Sequence, residues 1–330
     1  MSKVIDRVRG ALYGVAIGDA LGAPLEFMDA ESIQRQHGTV RDMIGGGWLN
    51  VKPGEVTDDT QMTLCVAHGI VSAPYDPVVS VGVNFLRWAD SRPKDIGGTC
   101  ASAISNASYI AGMHYITDAD DWSTRYISLR NFIPSAHDWL AAALATHNDS
   151  GHMSAGNGSL MRTVYTGLYY DTMIHAIRKA EQISQMTHYD PRATVACAAY
   201  SGAIFSLVHE DRVGDRRAHM CNLIEGIAPA WYDCSVLSSD SFTPNPSGYV
   251  VDSFSAALHC ICTTSSFEDA LVKAVNLGGD ADTIGAITGG LAGALYGYKA
   301  IPGRWTKYLS RDLCADMERL TAEAMKNKAE

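Results

Sequence analysis

Apolar residues recur three or four positions apart over most of this chain, and polar clusters separate the repeats. Residues 4–22 are apolar and helix-like, and after residue 60 Met62, Cys65, Val66 and Ile70 mark one buried helical face. The same period predicts helices near 60–72, 77–90, 99–113, 137–145, 171–185, 191–209, 250–262 and 267–275, and an amphipathic charged helix over 312–328. Residues 27–53 read as loop, punctuated by Gly45, Gly46, Gly47 and Pro53, and 235–247 as a Ser/Pro-rich loop. No run of alternating β-branched residues is long enough to build a sheet, so the expected fold class is all-α, with the longer loops around one cleft. Residues 1–330 are expected to form a single domain with loop excursions near 115–149 and 235–248.

Two of these segments run against helix propensity. Gly10, Gly14, Gly18 and Gly22 fall at four-residue intervals in the first, and Gly285, Gly289, Gly293 and Gly297 do so within the apolar stretch 277–298. Glycine destabilises a helix interior by about 1 kcal/mol relative to alanine, so two full stripes require an offsetting gain. Close approach of the two backbones would supply it; the alternative is that some of these glycines only end or loosen a helix. Close approach would bring Asp19 and Glu26, at the end of the first helix, near the acids that open the second.

Those acids are Asp280 and Asp282, followed by Thr283, and a second cluster, Thr57-Asp58-Asp59-Thr60, lies far upstream. Each sits where a polar turn enters an apolar helix. Capping is one reading, since Asp or Thr at a helix start satisfies free N–H groups and suits the helix dipole. The other is metal binding, because these are hard oxygen donors. Together they offer enough oxygens for two six-coordinate divalent ions if the fold brings them together, which spacing alone does not decide.

Composition narrows the partners. The formal net charge of −10 and the lack of a basic stripe argue against nucleic acid. Near-zero mean hydropathy and 47% hydrophobic residues suit a globular chain. The longest apolar run, 284–298, is glycine-broken and shorter than the roughly 20 residues of a bilayer span, so no membrane span is expected. Cys65, Cys100, Cys197, Cys221, Cys234, Cys260, Cys262 and Cys314 are scattered without a C-x-x-C pair or zinc-like grouping, and most read as small core residues. With no evident secretory signal in MSKVIDRVRGALYG, they favour a reducing, cytoplasmic location.

Two further turns are weaker signals. The segment 154–162, SAGNGSLMR, exposes backbone N–H groups that suit a diphosphate, though an ordinary left-handed turn at Asn157-Gly158 explains it nearly as well. His188, in the join 186–190, fits a solvated or hydrogen-bonded loop residue as readily as a ligand.

Six segments in order, GDALGAPLEF (18–27), GEVTDDTQM (54–62), AGNGSLMR (155–162), THYDPRA (187–193), SGYVVDS (247–253) and GGDADTIGA (278–286), resemble the ADP-ribosylglycohydrolase family. GGGWLNVKPGEVTDDT and SRPKDIGGTC also read like the ADP-ribosylarginine hydrolase branch that contains the dinitrogenase-reductase-activating glycohydrolase. The resemblance implies an all-helical fold, two divalent cations, Mg²⁺ or Mn²⁺, and hydrolysis of the N-glycosidic bond joining ADP-ribose to arginine on a target protein. Matched by motif, Thr57, Asp58, Asp59, Asp280, Asp282 and Thr283 are implied metal ligands. Glu26 matches an acidic residue of the cleft, and Asp95 the acid that engages the guanidinium or ribose; with Asp58 and Asp282 they form the implied catalytic set. Gly156, Asn157, Gly158, His188, Tyr249, Gly278 and Gly279 match the ADP-ribose cleft.

The chain also departs from that branch. ASAI follows SRPKDIGGTC where a more polar, arginine-bearing continuation is usual, Gly98 stands in place of an asparagine, and the 115–149 excursion is enlarged. These differences flank the expected target-binding side, so the resemblance speaks more firmly for the chemistry than for the protein substrate. An ADP-ribosylated protein is the expected partner, with a cognate ADP-ribosyltransferase or a regulatory protein as a further candidate. Two other activities are therefore weighed: an immunity protein that binds an ADP-ribosylating toxin, and a hydrolase of serine or O-acetyl ADP-ribose linkages. A structural role, known for some members of the family, is disfavoured by retention of both aspartate clusters and Glu26.

Overall fold

A computed structural model describes residues 2–118, 132–209 and 215–326 of the chain. In chain order its helices are α1 (Lys3–Gly22), α2 (Ala30–His37), α3 (Asp58–Ser72), α4 (Val78–Asp90), α5 (Gly98–Asp118), α6 (Ala136–Asp149), α7 (Val164–Tyr169) and α8 (Met173–Ser184). There follow α9 (Pro191–His209), α10 (Arg216–Ile227), α11 (Cys234–Leu237), α12 (Val250–Cys262), α13 (Phe267–Val275), α14 (Ala281–Tyr296), α15 (Gly303–Thr306) and α16 (Arg311–Lys326). Among the described residues there is no strand, only isolated bridges such as Asp29 with Gly278 and Gly156 with Tyr249. No helix among them is long and apolar enough to cross a membrane.

The two glycine stripes face each other. Gly10 lies against Gly293, Gly14 against Gly289, Gly18 against Gly285 and Gly22 against Ala281, so α1 and α14 run antiparallel. A Cβ at any of these glycines would fall inside the partner's backbone, which is why this contact excludes even alanine. α14 buries every residue from Ala281 to Ala294, so its sequence is apolar all round rather than amphipathic. The main apolar core surrounds the pair and includes the fully buried Phe85, Trp139, Tyr165, Phe254 and Trp305.

α9, α12 and α13 fall on the predicted ranges, because long apolar periods mark them. The 27–53 segment is not loop throughout, since it contains α2. That helix has a single buried residue, Ile33, and starts from an Asp29 cap that accepts the Ser32 N–H at 2.7 Å, so no apolar period announces it. α10 is likewise absent from the predicted helices, since it buries only Met220, Cys221 and Ile224; residues 210–214 lie outside those described. Of the 115–149 excursion, residues 119–131 are outside the described residues; α6 covers its end, opened by a Ser135–Asp138 capping box.

Candidate active site

The antiparallel pairing of α1 and α14 assembles the acidic end of the molecule. α1 stops at Gly22, and a short 3₁₀ turn, Ala23–Leu25, delivers Glu26 beside the start of α14. Asp19 ties in the start of α3. Its buried carboxylate accepts the N–H and hydroxyl of Thr57 at 3.0 and 2.9 Å, and those of Thr60 at 3.1 and 2.5 Å. Burial nevertheless pushes Asp19 up to about 6, the hydrogen bonds working in the opposite sense.

Capping does not account for either aspartate cluster. Thr57 and Asp280 occupy the N-cap positions of α3 and α14, yet neither side chain makes a capping hydrogen bond. Asp280 Oδ2 instead accepts from Asn157 Nδ2 at 2.7 Å, while Asp58, Asp280, Asp282 and Thr283 line one cavity with Glu26. Oxygens of Glu26, Asp280 and Asp282 all lie within 4.8 Å of one another. Asp59 sits behind them, its Oδ2 accepting from Thr57 Oγ1 at 3.4 Å and Thr283 Oγ1 at 3.5 Å. The two clusters, separate in the sequence, therefore meet.

Their charges are uncompensated. Burial pushes Asp58 up to about 7, and Asp95, Asp19 and Glu26 add to it by like-charge repulsion. Glu26 also rises to about 7 by burial and the charges of Asp280 and Asp95, against a hydrogen bond from Trp48 Nε1 at 2.6 Å. Burial drives Asp59 and Asp282 well above the usual carboxylate range, with Asp19 and Asp58 adding to Asp59 and with Asp59 and Asp280 adding to Asp282 by like-charge repulsion. Asp59 Oδ1 is buried with no hydrogen-bond partner among the described residues. An orphaned buried carboxylate oxygen among repelling acids and threonine hydroxyls is a donor set that fits hard divalent cations.

The cavity measures about 390 Å³ and is completed by Asp95, Gly156, Asn157, Gly158 and His188 among others. Burial raises the Asp95 carboxyl, with Asp280 contributing. His188 is held by a relay: Arg162 donates to Thr187 Oγ1 at 2.7 Å, and that hydroxyl lies 2.8 Å from His188 Nδ1. With Nδ1 engaged by Thr187, the ring turns Nε2 toward Gly156 and Gly158. Burial and the Arg162 charge lower His188 to about 3, so it stays neutral.

Several expected site residues stand back from this cavity. Tyr249 bridges Gly156 through the backbone and meets Arg192 through its hydroxyl at 3.4 Å. Gly278 and Gly279, both at positive φ, form the turn that clamps the segment after Glu26: Gly279 N–H donates to Met28 O, and Phe27 N–H to Gly279 O, both at 2.7 Å. Thr57 and Asp59 lie beneath the lining.

Three participants were not singled out from the sequence. Arg162, wholly buried, backs the Gly158 turn by donating to Gly158 O at 3.1 Å. Its one available signal is a cation set in the apolar run LMRTVY. Trp48 holds Glu26, and exposed Phe27 stacks on Trp48 with ring centres 5.4 Å apart.

Comparison with known proteins bears on this arrangement. The family model for ADP-ribosylglycohydrolase matches residues 1–330. The chain is 32% identical over 320 residues to the ADP-ribosyl-dinitrogen reductase glycohydrolase of Rhodospirillum rubrum, covering 96% of this chain and 95% of that one. It is 29% identical over 311 residues to the ADP-ribosylarginine hydrolase Tri1 of Serratia proteamaculans, covering 92% and 75%. A solved structure described as an ADP-ribosylglycohydrolase-related protein complex superposes with a TM-score of 0.74 at 28% identity, over 99% of both chains.

Proposed function

This chain belongs to the ADP-ribosylglycohydrolase family, and from that premise we propose that it is a metal-dependent hydrolase that releases ADP-ribose from ADP-ribosylated arginine on a target protein. The observation that best supports this reading is the meeting of Glu26, Asp58, Asp280 and Asp282 in one cavity of small-molecule size. The relatives' names speak for hydrolysis rather than for immunity, and that alternative is not carried further.

Thr57, Asp58, Asp59, Asp280, Asp282 and Thr283 would hold two Mg²⁺ or Mn²⁺ ions. When bound, such ions supply a polarised water and a grip on the ribose hydroxyls. Around them the residues divide the work. Glu26, poised near neutrality, accepts a proton from the attacking water as the bond at the anomeric carbon breaks through an oxocarbenium-like state. Asp58 and Asp282 fix the position of that water relative to the sugar. Asp95 attracts the guanidinium; because this leaving group is already cationic, Asp95 holds it rather than protonating it. The Gly156–Gly158 turn brings backbone close to the diphosphate, and His188 Nε2 faces the same place.

A side-by-side assay on arginine-linked and serine-linked ADP-ribosyl proteins tests the linkage. Release from arginine with little from serine is expected; the reverse preference would overturn the assignment.

A further inference from the structure

Cys221, Cys234 and Cys262 are far apart in the chain, yet their thiols meet. Sulfurs of Cys221 on α10 and Cys262 at the end of α12 lie 3.5 Å apart, and Cys234, first residue of α11, has its thiol in hydrogen-bonding reach of both. Cys221 and Cys234 are core residues, as expected, but the three thiols form a group that their scatter along the chain does not show. The cluster is separate from the cleft: Gly248, two residues before α12, lines the cleft, and the thirteen-residue helix carries Cys262 about 18 Å from its first residue, at the far end.

We propose that Cys221 and Cys262 are a redox-modification site, at which a hydroperoxide converts the two thiols to a disulfide.

Access, nucleophile and partner are all present. Half-buried Cys262 lines a cavity of about 450 Å³ with Arg217, Thr263, Thr264, Ser265 and Asp269, so a small oxidant reaches it, whereas Cys221 is buried behind. Arg217 is tethered to Tyr296 Oη at 2.7 Å and leaves its buried Nε without a partner among the described residues. Cys262 Sγ is in hydrogen-bonding reach of the Cys221 and Cys234 thiols, and these contacts, Ser238 and the Arg217 charge lower the pKa of Cys262 while Cys221 and Cys234 are raised. Cys262, which faces the cavity beside Arg217 while Cys221 is buried, is thus the sulfur placed to attack, and thiolates are the form that attacks peroxide.

The chemistry balances. Cys262 sulfur attacks the terminal oxygen of hydrogen peroxide; an S–O bond forms, the O–O bond breaks, and hydroxide leaves as sulfur loses two electrons to the peroxide. Cys221 sulfur then attacks the sulfenic sulfur, forming the S–S bond and breaking S–O, and the departing hydroxide takes the Cys221 proton as water.

The test treats the full-length protein with stoichiometric hydrogen peroxide, blocks remaining thiols, and maps non-reduced peptides alongside the intact mass. The expected result is a mass lower by two hydrogens, one linked pair containing Cys221 and Cys262, and reversal by dithiothreitol. Cys65 and Cys314, half-buried thiols elsewhere, should react at least roughly tenfold more slowly than Cys262. In Cys221→Ser, Cys262 should be trapped by dimedone as the sulfenic acid or linked to Cys234. Oxidation at Cys65 or Cys314 as fast as at Cys262, or no Cys221–Cys262 link in the wild-type protein, would overturn the proposal. Neither readout depends on hydrolase activity.

Discussion

Gly18 and Gly285 touch backbone to backbone, and the next residue, Asp19, is the carboxylate on which the start of α3 hangs. Packing of two helices and placement of two acid clusters are therefore one structural event. Gly18→Ala should destabilise the protein by about 1–3 kcal/mol or more through overpacking, and should weaken divalent-cation binding with it. Gly226→Ala, at a helical glycine with nothing within 4 Å, should be neutral or stabilise by up to about 1 kcal/mol. Urea unfolding checks both; a Gly18→Ala protein as stable as wild type would remove the close-approach account.

Asp59 is driven upward by burial and by the acids around it, and its Oδ1 has no partner among the described residues. Asp59→Asn should accordingly make the metal-free protein more stable at neutral pH, because one repelling charge is gone. The same change should abolish most of the stabilisation by Mg²⁺ or Mn²⁺, which for wild type is about 2.7 kcal/mol at a hundredfold excess over Kd. Thermal shifts with chelator and with added cation measure the two effects, and equal cation responses in both proteins would contradict the assignment.

The pH dependence of the metal-free protein follows from Glu26 and Asp58, both raised to about 7 from ordinary values of 4.5 and 3.8. The folded state binds these protons more tightly than the unfolded chain does. Their contribution is full below the ordinary values and is lost as pH rises through about 7. His188, lowered from 6.5 to about 3, acts the other way: its contribution is full above 6.5 and is lost as pH falls toward 3. In excess chelator, unfolding free energy should fall between pH 5 and 8, and Glu26→Gln should flatten that fall. A wild-type slope matched by Glu26→Gln would sink the argument.

Trp48 Nε1 donates to Glu26 at 2.6 Å, and this bond favours the carboxylate. Trp48→Phe keeps an aromatic ring against Phe27 but removes the donor. Glu26 should then titrate higher, moving the acid limb of kcat/KM to higher pH and lowering kcat/KM at neutral pH by about tenfold. An unmoved acid limb would show that the contact does not tune Glu26.

What the sequence discloses here depends on whether a relation is periodic or only spatial. Four-residue spacing along 10–22 and 285–297 is a pattern in one dimension, so the α1–α14 contact and the nearness of Asp19 and Glu26 to Asp282 were legible. The Thr57 and Asp280 clusters were legible as paired helix starts, whereas their choice between capping and cation binding needed side-chain geometry. Other relations leave no local trace. Asn157, an expected substrate contact that lines the cavity, also donates to Asp280 across 123 positions. The Arg162–Thr187–His188 relay joins two motifs that only the fold brings together. α2 hid for a different reason, since one buried side chain makes no period.

The central claim is that meeting acids hold cations that make this cleft an ADP-ribosylarginine hydrolase. The most direct measurement is release of free ADP-ribose from an arginine-ADP-ribosylated protein with Mg²⁺ or Mn²⁺, after chelation, and after metal is restored, for wild type and Asp282→Asn. Release should require the cation, return with it, and fall by at least roughly a hundredfold in the variant, as befits loss of a positioned charge in the reaction. Wild-type release that survives chelation, or an Asp282→Asn protein that turns over like wild type, would contradict it.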